Sequence, residues 1–240
     1  MHISDIVLRH DLFPTSDHYP FCLPVLRKTQ HVHLTTPVTF FVGENGSGKS
    51  TLLRAVCKRC GIHIWQGMER SRYSVNMYED KLYRATEIHW TDGPVHGSFF
   101  GSDVFREYAR VLDDWAASDP GQLDTVGGQS LLTQSHGQSL MAYFRARYEL
   151  RGIHLLDEPE TALSPSTQIE LLNLIAGMSR AGHAQFIIAT HSPILLACPG
   201  ARIYSFDRVP IAPIAYRDTD HYRVYRDFLD DPSAFMEEPR

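Results

Sequence analysis

Cysteine is scarce. Cys22, Cys57, Cys60 and Cys198 are the only four in 240 residues, too few to staple a secreted fold, so a reducing compartment is expected. Long apolar runs are missing too: stretches such as FIIA and PILLAC fall far short of the roughly 18–20 residues that cross a bilayer. Any membrane role is therefore expected to come through a partner, without direct insertion. The opening MHISDIVLRHDLF has no basic segment leading into an apolar core, so no secretory leader is read there and a cytoplasmic location is expected. Nor is there an excess of basic charge, since 23 Lys and Arg face 28 Asp and Glu for a net charge of −5. No global field draws the chain to nucleic acid or anionic lipid. Internal repeats, low-complexity tracts and sustained heptads are also lacking.

What is there is an ordinary globular composition, 43% hydrophobic and 21% charged, able to bury a sizeable core. Residues 35–42, TTPVTFFV, read as a short strand, followed by a Gly-rich turn and the helical pattern KSTLLRAVCKRC. Residues 61–123 give no regular pattern. Beyond them LMAYFRARYEL reads as helix, GIHLLD as a buried strand, SPSTQIELLNLIAGMSRAG as a helix opened by Ser-Pro and closed by Gly, and AQFIIAT as a second buried strand. ARIYSF is a further strand and DHYRVYRDFLDD a terminal amphipathic helix. Strands alternating with helices predict an α/β layered fold with a largely parallel sheet.

Chemistry concentrates after three of these strands. GENGSGKST, comprising Gly43, Glu44, Asn45, Gly46, Ser47, Gly48, Lys49, Ser50 and Thr51, has the G-x-x-x-x-G-K-[ST] spacing between a strand and a helix. Glycines let the backbone close round phosphates, and the helix N-terminus supplies N–H donors. Lys49 is placed for the β- and γ-phosphates and Ser50 for Mg²⁺. IHLLDEPE then carries Asp157 at a strand end, where a P-loop site holds Mg²⁺. Glu158 follows, placed to polarise an attacking water. FIIATHSP sets His191 just beyond another strand, and ligands in open α/β sheets gather at such carboxyl ends.

A polar stretch, TQSHGQS, precedes the helix at 140 and lies about twenty residues ahead of LLDE. With the phosphate loop, LLDE and THS in this order, the chain resembles the ABC-type ATPases, and QSHGQS is similar to their signature, commonly Leu-Ser-Gly-Gly-Gln, with Gln134 and His136 in place of its first and third residues. The resemblance runs over nearly the whole chain. It implies a P-loop head with a mainly parallel core sheet flanked by helices, a small N-terminal antiparallel β part and a short helical lobe, all one domain over residues 1–240. It implies ATP with Mg²⁺ and hydrolysis in which Lys49, Glu158 and His191 are catalytic and Ser50 and Asp157 serve the metal. Ser135, Gly137 and Gln138 would bind the nucleotide of a second subunit, making an ATP-dependent homodimer.

The loop DEPETALSP differs from the DEPTSALD typical of transporter subunits and is similar to the soluble RecF, OLD and SMC-like branch. In that reading Glu160, Ala162, Leu163 and Ser164 form a loop crossing the dimer interface, and the client, a partner protein or DNA in repair or phage defence, is unidentified. Only about 85 residues separate Ser50 from Ser135, leaving no room for long coiled-coil arms. Two other readings stand beside it: a nucleotide-gated binding module controlling a nuclease, toxin or DNA end, and a transporter's ATP-binding subunit. The family's Gln-loop is expected near HGSFFGSDVF, which has no Gln, so Asp103 or Ser102 is the substitute to examine. Phe13, Tyr19 and Phe21 are candidates for stacking on a base. Cys57, Cys60 and His63 have metal-like spacing but are expected to pack, and RYSVNMYEDKLYR interleaves basic and aromatic residues as a nucleic-acid surface or a half-buried strand would.

Overall fold

The computed structural model describes residues 1–65, 76–103, 105–126, 128–133 and 136–236. In chain order the elements are β1 (Ile3–Leu8), α1 (Pro24–Lys28), β2 (His31–His33), β3 (Val38–Val42), α2 (Lys49–Arg59), β4 (Thr86–Trp90), β5 (Gly97–Gly101), α3 (Phe105–Ala116), α4 (His136–Tyr148), β6 (Gly152–Asp157), α5 (Pro165–Arg180), β7 (Ala184–Ala189), α6 (Pro193–Leu196), β8 (Arg202–Ser205), β9 (Ala212–Pro213) and α7 (Asp220–Asp230). Six strands form one sheet in the order β5-β6-β7-β3-β8-β9, and three form a second in the order β2-β1-β4. The large sheet is parallel except for the β9 edge, and the small one is antiparallel. This is the expected α/β fold, a mainly parallel sheet flanked by helices beside a small antiparallel sheet that contains the N-terminal strand.

Successive residues of the central strands point to opposite faces, and here both faces are apolar. Phe40, Phe100, Leu156 and Ile188 enter one core with α3, α4 and α5, while their neighbours Phe41, Phe99, Leu155 and Ile187 enter the other with α2 and the small sheet. Strands covered on both sides read as continuous hydrophobic runs, and β3, β6 and β7 are buried at every position. Ser164 caps α5 by accepting from the Thr167 amide, with Pro165 in the first turn.

Elements expected from sequence are present with shifted ends. The strand read from 35 begins at Val38. The helix read from 140 begins at His136, so residues 136–139 of the polar stretch form the first turn of α4 rather than preceding it. The unassigned interval holds β4, β5 and α3.

Gln185 ties the two sheets together. Fully buried at the start of β7, its Oε1 accepts from the amides of His2 (2.7 Å) and Ile3 (2.8 Å) and its Nε2 donates to the Ile3 carbonyl at 2.8 Å. Gln185→Leu would orphan all three backbone groups, so a loss of at least about 3 kcal/mol is expected at roughly 1–3 kcal/mol per buried group, read as a lower urea midpoint. His154 on β6 is also buried, its Nδ1 2.9 Å from Ser98 Oγ and its Nε2 3.3 Å from the Leu150 carbonyl. Burial pushes its pKa down to about 4. The unfolded chain then binds a proton that the folded one refuses, so stability is full above pH ~6.5 and falls as pH drops toward ~4, by up to about 3 kcal/mol. Urea titrations of wild type and His154→Gln across that range should diverge, the variant losing less.

Candidate functional site

The turn after β3 brings Gly43 so close to β8 that a Cβ there would sit 2.9 Å from Asp207 Oδ1, and Gly48 enters α2 at φ 104°, which disfavours a side chain. Asp207 Oδ1 also accepts from the Glu44 amide at 2.8 Å, anchoring the loop. Glu44, Asn45 and Gly46 are exposed at its tip. Lys49 is buried, and its Nζ donates to the carbonyls of Gly43 (2.7 Å) and Glu44 (3.0 Å). Burial lowers its pKa, opposed by the carboxylates of Glu158, Asp207, Asp157 and Glu44. Ser47 Oγ is buried without a hydrogen bond among the described residues.

Asp157, at the end of β6, faces the first turn of α2. Ser50 Oγ donates to its Oδ1 at 2.7 Å, and Arg54, one turn on, sets Nε 3.6 Å from its Oδ2. Burial raises the Asp157 pKa against the pull of Ser50 and Arg54. Arg54 also donates to Asp103 Oδ2 at 2.9 Å, and the Ser102 amide donates to the Asp157 carbonyl at 3.3 Å. HGSFFGSDVF thus reaches the same end of the sheet. Tyr19, Ser50, Thr51, Arg54, Asp103 and Glu158 line a cleft of about 350 Å³ around Asp157. The Tyr19 hydroxyl bonds to Thr51.

Glu158 has φ 50°, and it is the one non-glycine residue with positive φ among those described. Its amide donates to the Ala189 carbonyl at 2.9 Å, fixing a backbone form that strained functional residues often adopt. From the end of β7, His191 sets Nε2 3.8 Å from Glu158 Oε1. The His191 amide donates to Glu160 Oε1 at 2.6 Å, and its Nδ1 lies 2.9 Å from Nε2 of His221 on α7. Burial first, then Lys49, lowers the pKa of both rings. Burial raises that of Glu160. One proton lies between the two rings. If His221 donates it, the neutral His191 carries its own on Nε2, facing Glu158, where that nitrogen has no hydrogen bond among the described residues.

Gly43 to Thr51, Asp157, Glu158 and His191 therefore meet at one edge of the large sheet. Gly137 and Gln138 lie apart, lining a cleft with Gln129, Arg145, Thr167 and Glu170 that shares no residue with the first. Ser135 and Gln134 lie outside the described residues, as does part of RYSVNMYEDKLYR. Phe21 is fully buried and packs against Phe13 at 4.9 Å, so it is removed as a base-stacking candidate; exposed Tyr19 remains beside Thr51. Cys57 is buried with Sγ 3.4 Å from the Ile62 carbonyl, and burial pushes Cys60 up to about 12, which fits packing rather than metal binding. Sequence reasoning missed Arg54, Asp207 and the position of His221 beside His191. Arg54 was findable, four residues after Ser50 on one helix face; His221, thirty residues past His191, obeys no spacing rule.

An αL backbone suits glycine. Glu158→Gly should therefore raise thermal stability, by about 1 kcal/mol, while removing the carboxylate from the cleft; calorimetry that shows a lower Tm would contradict the strain.

Comparison with known proteins accords with this geometry. Residues 138–197 match the family described as "AAA domain, putative AbiEii toxin, Type IV TA system", and residues 21–60 match an AAA domain family. The chain is 29% identical over 157 residues to the ferric enterobactin transport ATP-binding protein FepC of Escherichia coli K12, covering 59% of this chain and 58% of that one. It is 28% identical over 170 residues to the thiamine import ATP-binding protein ThiQ of Cereibacter sphaeroides, covering 63% and 69%. The chain thus spans little more than half the length of the first of these relatives. Among solved structures, cbiO1 of Clostridium perfringens, part of the ABC transporter complex cbiONQ, aligns with TM-score 0.52 at 16% identity over 98% of each chain. The SMC head domain of Thermotoga maritima aligns with TM-score 0.50 at 16% identity over 90% of this chain and all of that one. Both likenesses concern the fold.

Proposed function

We propose that this chain is an ABC-type P-loop ATPase that hydrolyses ATP as a head-to-tail homodimer whose closing and opening act on a partner. The observation that carries the reading is the meeting of Lys49, the Ser50–Asp157 pair, strained Glu158 and His191 on one sheet edge. Lys49 exchanges its loop carbonyls for the β- and γ-phosphates, while the loop amides and the start of α2 hold the other phosphate oxygens. A buried carboxylate beside a hydroxyl is a hard oxygen donor pair that fits Mg²⁺. Ser50 and Asp157 would hold the ion, which when bound neutralises charge on the β- and γ-phosphates. Glu158 orients water and takes its proton, and His191 donates from Nε2 to the γ-phosphate. Gly137 and Gln138 line a cleft separate from the one at the phosphate loop and, with Ser135 next to them in sequence, are assigned to the nucleotide of the second copy, where α4 offers its N-terminus to the anion.

DEPETALSP favours the soluble branch, and the AbiEii-type match favours a role in defence over import. A gated module with incidental turnover is the second reading, favoured by the absence of a Gln at the loop holding Ser102 and Asp103.

Glu158→Gln keeps the shape of the cleft and removes the base. Light scattering on this variant with Mg²⁺-ATP should show two chains per particle, and one chain without nucleotide, while phosphate release falls by about two orders of magnitude or more. Wild-type turnover in the variant would remove Glu158 from the base role, and a mass that never changes despite bound ATP would remove the homodimer.

A further inference from the structure

On the outer face of the small sheet, Asp5, His31 and His33 bring three metal-ligating groups together. We infer that these three residues form a binding site for a transition-metal dication, Zn²⁺ or one of similar ligand preference.

The strand pattern produces the cluster. His31 and His33 are two apart on β2 and so share a face, while Val32 between them is fully buried on the other. Antiparallel register sets Asp5 directly opposite His33. His31 Nδ1 lies 2.7 Å from Asp5 Oδ2 and His33 Nδ1 3.1 Å from Asp5 Oδ1, and all three ligand atoms are within 4.8 Å of one another. The imidazoles stack with planes 18° apart, so both present the same nitrogen to the same point. A tetrahedral ion with bonds of about 2.0–2.2 Å needs ligand atoms roughly 3.3 Å apart, a small adjustment from these distances.

A second observation comes from the carboxylate. Asp5 is 7% exposed, and its Oδ1 has no hydrogen bond among the described residues, because His33 Nδ1 approaches without the alignment for one. A buried carboxylate oxygen normally finds a partner, and here it is aimed between two imidazoles. His89, across β1 from the same carboxylate, instead sits 3.3 Å from Glu87 Oε1. Exposed His31 and His33 leave a fourth position open to solvent.

The donor set decides the cation. Two imidazole nitrogens and one carboxylate suit Zn²⁺, Co²⁺, Ni²⁺ or Cu²⁺, whereas Mg²⁺ prefers oxygen. The site is thereby chemically separate from Ser50 and Asp157.

Untagged, metal-free protein should bind one Zn²⁺ by calorimetry in the presence of excess Mg²⁺. His31→Gln and His33→Gln, both exposed positions whose folding is checked by circular dichroism, should each weaken binding roughly tenfold or more. Asp5→Asn should do the same, but being buried it is read only beside the other two. Co²⁺ should give the visible bands of a tetrahedral nitrogen and oxygen site without a thiolate charge-transfer band. Absence of Zn²⁺ binding, binding unchanged in both His variants, or a thiolate band pointing to the cysteines would each overturn the assignment.

Discussion

One row of residues across the large sheet governs the arrangement of the phosphate end. Gly101, Asp157, Ala189, Phe41 and Tyr204 are hydrogen-bonded neighbours in register from β5 to β8. Parallel strands aligned in this way finish level, so the chain leaves the sheet within a residue or two of the row at Ser102, Glu158, Thr190, Gly43 and Phe206. Ser102, Glu158 and Thr190 carry polar groups at these exits that would be costly within the sheet. Shifting β6 by one residue would turn Asp157 toward the opposite face and exchange the two cores at Leu155 and Leu156. The hydrophobic packing on both sides of the sheet therefore holds the polar edge in register.

The edge carries costs that the cores offset. Asp157 and Lys49 are both buried, and burial opposes the charged form of each. Glu158 holds an unfavourable φ between a buried strand and Pro159. Such strain persists only where neighbours over-determine it, and the bond from the Glu158 amide to the Ala189 carbonyl is one such constraint. The ion pairs at this edge are thus poor contributors to stability but keep charge where a triphosphate would need it.

Much of this was legible from local pattern. Strands buried on both faces and helices with caps announce themselves over six or more residues, and Gly43 to Thr51 has its own spacing. The interval from 61 to 123 was not legible, for physical reasons that β5 illustrates. Gly97 opens it because a Cβ there would meet Ile62 Cδ1 at 2.4 Å and the Ile153 carbonyl at 2.7 Å. A glycine required by close strand packing looks the same in sequence as one required by a turn. Tertiary contact also decided Phe21, whose aromatic character suits a base-stacking role as well as it suits the core, and the start of α4, whose polar first turn disguises a helix.

His221 shows what no linear reading could supply. Its ring is held half-buried beside His191 by α7, and Thr219 caps that helix by accepting from the Tyr222 amide. The two facing nitrogens cannot both be protonated, nor both bare, without losing the bond. Depressed basicity of both rings keeps the pair neutral near pH 7, with one proton between them. The tautomer of His191, and hence whether Nε2 donates or accepts, is then set by which way His221 turns. That orientation belongs to a helix from the far end of the chain, whose outer face exposes Val224, Tyr225 and Leu229. The proton arrangement at His191 thus depends on a contact made by α7 as well as on the strands that hold Asp157 and Glu158.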